Sequence, residues 1–67
     1  MTRKFYFKAV AAVGQYSYQH RFHVEADSEP EAIYDAKKVV QAWLNSDTNP
    51  MTVADLTVFV LTHSSRN

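Results

Sequence analysis

Three histidines, His20, His23 and His63, are the side chains of this 67-residue sequence best suited to proton transfer or metal ligation. Their spacing supports neither. His20 and His23 are three apart in an alternating segment, so on a strand they point to opposite faces and cannot hold one ion. His63 shares a face with His23 but lies far along the chain. A zinc centre wants three or four well-spaced ligands, and no such set is visible. Cysteine is absent, which removes thiolate ligands, thiol nucleophiles and a disulfide framework. No Ser-His-Asp arrangement can be read from the sequence. One glycine, Gly14, cannot build a phosphate-cradling loop. The sequence therefore predicts no catalytic residue, no metal site and no cofactor. A chain this small also offers little concavity for a small-molecule substrate, and the expectation is a protein that is not an enzyme.

The cations are more informative. Arg3, Lys4, Lys8 and Arg21 fall between Met1 and Val24, a stretch with no acid. All seven acids follow from Glu25 onward, against Lys37, Lys38 and Arg66. The formal charge is zero, but a basic first third is joined to an acidic remainder, and such segregation shapes encounter with partners. Tyr6 stands among these cations. Lys4, Tyr6, Lys8, Arg21 and His23 together make the candidate surface for a nucleic acid, with phosphates on the cations and bases stacked on an aromatic ring. Against that reading, strong phosphate binders usually carry a net positive charge.

Such residues must be positioned by secondary structure. Phe5, Phe7, Ala9, Ala11 and Val13 alternate with Lys4, Tyr6, Lys8, Val10 and Ala12. Tyr16, Tyr18, His20, Phe22, Val24 and Ala26 alternate with Gln15, Ser17, Gln19, Arg21, His23 and Glu25. Period-two alternation of this length predicts two half-buried strands. Gly14-Gln15 between them fits a type II′ turn, with glycine at the first central position. That turn sets the register: Val13 opposite Tyr16, Ala9 opposite His20, Phe5 opposite Val24, and Lys4 opposite Glu25 outside. His20 then belongs on the inner face, near its rim between aromatics. Ser28 as N-cap, Glu31 three residues on and Pro30 in the first turn predict a helix from Glu29 to about Asn45. Ala32, Ile33, Ala36, Val39, Val40, Trp43 and Leu44 form its apolar face. Trp43 is expected to lie buried over the small Ala9 and Ala11. Residues 46–50 read as a loop. Thr52 to Thr62 reads as a third strand, although Thr52-Val53-Ala54-Asp55 suits a helical turn equally well.

The result is an α+β domain with ββαβ order: a three-stranded sheet, order 2-1-3 preferred as fully antiparallel, with one amphipathic helix on one face. Residues 1–63 form the single domain and 64–67 a frayed tail. A strict alternation from Ala54 puts Leu56, Val58 and Val60 inward, and Thr57, Phe59, Leu61 and His63 outward. Phe59 and Leu61 on a face with no second layer, next to Tyr6, Val10 and Thr57, predict a partner-binding patch. A strand apolar on both faces and a small core further predict a homodimer.

The ββαβ plan with a capped helix resembles that of many small phage-encoded proteins, some of which inhibit host defence systems. The likeness is one of architecture and length and transfers no functional residue. The absence of chemistry together with the apolar outer patch predicts a small non-enzymatic protein that occupies a partner protein's surface, as an inhibitor of that kind would. No apolar run long enough for a membrane span or signal peptide is present, and the expected location is the cytoplasm.

Overall fold

The computed structural model describes residues 2–46 and 51–65. Strand β1 spans Arg3–Val13 and β2 spans Tyr16–Ala26. They pair antiparallel through an unbroken ladder from Arg3↔Ala26 to Val13↔Tyr16, the register that the turn predicts. Gly14 has φ of 61° and no other described residue has positive φ. A positive first position followed by a negative second is the type II′ pattern, whose twist suits a two-residue hairpin. A Cβ at Gly14 would meet no neighbour. The turn therefore needs glycine for its backbone alone.

Helix α1 spans Glu29–Leu44. Ser28 is extended and occupies the N-cap, where its carbonyl accepts from Ala32 N–H at 3.0 Å. Its hydroxyl caps nothing, so the expected Ser28–Glu31 capping box does not form. Pro30 and the acids Glu29 and Glu31 still favour this end. The capping box instead appears at Thr52, where the backbone N–H donates to Asp55 Oδ2 at 2.9 Å. It opens a short 3₁₀ turn, η1, over Val53–Asp55. The helical alternative for that segment is thus the one realised, and strand β3 begins later, spanning Leu56–Ser64.

The sheet order is β2-β1-β3, antiparallel throughout. Helix α1 buries Ala32, Ala36, Val40 and Leu44 against the inner face of the sheet. Two core clusters result. Phe5, Phe7 and Ala26 meet Ala32 and Ala36. Ala9 and Ala11 meet Val40, Leu44 and Met51. The small alanines of β1 let the helix come close, and Leu44 with Val40 takes the place expected for Trp43. Trp43 is only half-buried, at the rim, with its ring stacked 5.2 Å from His20. His20 also stacks on Phe22 at 5.2 Å, so it does sit between aromatics. Met51 N–H donates to Leu44 carbonyl at 2.9 Å, tying the start of the last segment to the helix end. Apart from Ser46, the predicted loop lies outside the described residues. The hairpin tip runs on past the last helical turn, leaving Val13, Tyr16 and Tyr18 exposed.

Two expectations about the last segment are corrected. Ser64 pairs with Phe5, and Ser65 N–H donates to Lys4 carbonyl at 2.8 Å, so these residues are not frayed. Arg66 and Asn67 lie outside the described residues. The second correction concerns the faces of β3. Phe59 pairs with Ala9 and Leu61 with Phe7, and both pack into the core. Val58 and Val60 face outward instead, opposite Val10 and Lys8. The cause is a pair of bulges. Between Leu56 and Val58 the residue Thr57 is extra, and between Leu61 and His63 the residue Thr62 is extra. The first bulge inverts the alternation and the second restores it. Leu56 therefore points inward and His63 outward as expected, while the four residues between the bulges are exchanged. Each bulge is fastened by its threonine: Thr57 Oγ1 donates to Val10 carbonyl at 3.1 Å, and Thr62 Oγ1 to Tyr6 carbonyl at 3.0 Å.

Candidate interaction surface

Among the described residues nothing forms a layer over the outer sheet face, whose residues come from all three strands. Cross-strand rows follow from the two registers. One row is His23–Tyr6–His63. The next is Arg21–Lys8–Val60, and the one beyond is Gln19–Val10–Val58. Tyr6 is held between the two histidines. Its ring stacks on His63 at 4.3 Å with planes 10° apart, and lies 5.5 Å from His23 in a tilted arrangement. One face of the Tyr6 ring is thus covered by His63, and His23 lies beside the ring. Lys8 lies directly opposite Arg21, and neither has an ion pair among the described residues. The Gln19 side-chain amide lies against the Arg21 guanidinium, and its oxygen accepts from Arg21 once the amide is turned over. Tyr6, Lys8, Arg21, His23, Thr62 and His63 line an open depression of about 630 Å³. Below it the valines form an apolar step, with Val58 and Val60 exposed and Val10 half-buried.

Of the residues picked for a partner-binding patch, Tyr6 and Val10 lie on this face, while Phe59 and Leu61 do not. Thr57 is exposed but is engaged with Val10 as the bulge residue. Removing Phe59 and Leu61 from the outer face also removes the argument for a homodimer that rested on them. The cation set is brought together as expected: Lys8, Arg21, His23 and Tyr6 cluster, and Lys4 sits one row away opposite Glu25. Sequence reasoning missed Val58, Val60 and the stacking of His63 on Tyr6. One signal was available. Phe59 and Leu61 are larger than Val58 and Val60, and a strand free to choose its phase gains more by burying the larger pair.

Among the described residues no group of three or more His, Cys, Asp or Glu could hold a metal ion, and no helix is long and apolar enough to cross a membrane. The chain matches no known protein family, no curated protein and no solved structure. The surface must therefore be interpreted from its own chemistry.

Proposed function

We propose that the chain is a non-enzymatic, cytoplasmic interaction module that docks its outer sheet face on a partner protein and so occupies that partner's surface, in the manner of a phage-type inhibitor. The observation that carries this reading is the composition of the uncovered face. An apolar step of Val10, Val58 and Val60 adjoins Tyr6 and a ring of cationic groups. Apolar contact with a polar, charged rim is the anatomy of a protein–protein interface. The complementary partner surface is apolar at its centre and acidic at its edge. A photo-crosslinking residue placed at Val60 is expected to give an adduct of one discrete protein mass, lost when Lys8→Glu is added. The same probe at Tyr34, on the outer side of the helix, is expected to give none. Equal adducts from both positions, or turnover of a small molecule abolished by a single substitution, would overturn the reading.

A second reading, nucleic-acid binding, is favoured by one specific observation: Lys8 and Arg21 face each other with no acid between them. The stacking of His63 on Tyr6 weighs against it, because that face of the ring is closed to a base. The two readings separate by salt. Binding through phosphate contacts weakens steeply as salt rises, and binding through the valine step does not.

A further inference from the structure

We propose that the depression on the outer sheet face is a binding site for a phosphoryl or similar tetrahedral oxyanion, held by Lys8 and Arg21 and flanked by His23 and His63. This goes beyond the docking reading and does not depend on it. Like charges placed directly opposite on neighbouring strands destabilise a sheet. Lys8 and Arg21 are so placed, and neither finds an ion pair among the described residues. An anion seated between them would relieve that repulsion and accept from both an ammonium and a guanidinium fork. The same depression is lined by His23, Tyr6 and His63 and by no carboxylate. Glu25, the acid of this face, lies opposite Lys4, beyond the histidine row.

The hydrogen bonding of His63 fixes its tautomer beside this site. Thr62 has one hydroxyl proton, and it goes to the Tyr6 carbonyl. Thr62 Oγ1 must therefore accept from His63 Nδ1, 3.1 Å away, which assigns the proton of neutral His63 to Nδ1. In that tautomer Nε2 has nothing to donate. Among the described residues, the groups on the rows around His63 and His23 are Lys4, Tyr6 and Lys8 on β1, Arg21 and Glu25 on β2 and Thr62 on β3. Cations outnumber the single acid on this face, which favours an anion.

The test is a titration of the full chain with sodium sulfate, followed by amide NMR shifts at constant ionic strength and constant pH. Saturable shifts are expected at Lys8, Arg21, His23 and His63. Lys8→Gln or Arg21→Gln should weaken binding about tenfold, the value of a charge-assisted contact. Lys37→Gln, on the helix, should leave it unchanged. Should one variant lose its fold by circular dichroism, the other reads the same site from the neighbouring strand. Shifts that drift linearly, or that Lys8→Gln and Lys37→Gln affect alike, overturn the site. Inorganic pyrophosphate and a single-stranded oligothymidylate then separate the sources. Tighter binding of pyrophosphate assigns the site to free phosphate, and tighter binding of the oligonucleotide, displaced by pyrophosphate, assigns it to a phosphodiester chain. Binding of neither overturns the proposal.

Discussion

Strand β1 is held on its two sides by very different ladders. Toward β2, all 11 of its residues are paired without interruption, and a two-residue turn closes the hairpin. Toward β3, the pairing runs only from Phe5 to Ala11 and shifts register twice. The β1–β2 ladder is local in sequence and has one self-consistent alternation. The β1–β3 ladder joins distant segments, and its phase is set by what lies above and below the sheet. In a short edge strand, a bulge at each end lets the larger side chains reach the core at the expense of two unpaired residues. The threonine bonds to Val10 and Tyr6 carbonyls recover part of that loss.

The difference can be probed most strongly at the residues that the bulges exchange. Phe59→Ala should destabilise the domain by about 2–4 kcal/mol, because it opens a cavity over Ala9 and Phe7. Val60→Ala, one residue away on the outer face, should cost no more than about 0.5 kcal/mol. Urea unfolding of the pair measures both. Equal losses would show that the inverted phase of β3 is wrong.

Closing the hairpin differently comes next. Gly14→Ala is expected to cost about 1–2 kcal/mol, entirely through the positive φ, since there is room for the methyl group. Thermal melting would register it as a drop of several degrees, and Gly14→Val should be worse because a β-branched residue resists that conformation further. An unchanged melting temperature in Gly14→Ala would mean that the turn is not of the type described.

Smaller effects are expected at the bulges. Thr57→Val and Thr62→Val each remove one exposed side-chain-to-carbonyl bond, worth about 0.5–1 kcal/mol. Hydrogen exchange should show faster opening along β1–β3 in both variants, with the β1–β2 amides unaffected. If both ladders loosen together, the sheet opens as one unit and the contrast drawn here is lost. The smallest effect concerns the outer face. Lys8→Glu converts a like-charge pair with Arg21 into an opposite pair and should stabilise the fold by about 0.2–1 kcal/mol while removing oxyanion binding. A Lys8→Glu variant less stable than the parent would show that Lys8 is not strained in the free protein.

Much of this architecture is legible in the residues themselves. The hairpin register follows from Gly14 and two alternations that agree only in one alignment, because a slip by one residue would turn every apolar side chain to water. The helix follows from Pro30, the acids of its first turn and the spacing of Ala32, Ala36, Val40 and Leu44. The clustering of Tyr6, Lys8, Arg21 and His23 follows in turn, since cross-strand neighbours are fixed once the register is. The strand order 2-1-3 follows as the fully antiparallel arrangement of a ββαβ chain. The faces of β3 were decided elsewhere. Alternation read along one segment assumes an unbroken ladder, and bulges at Thr57 and Thr62 arise only when β3 is laid against β1 under the helix. There the room above Ala9 and beside Phe7 admits Phe59 and Leu61, and the larger buried area of that pair sets the phase. The same event sends Val58 and Val60 to the outer face and brings His63 onto Tyr6. The cationic half of the candidate surface was therefore written in the hairpin, and its apolar half was decided by packing on the opposite side of the sheet.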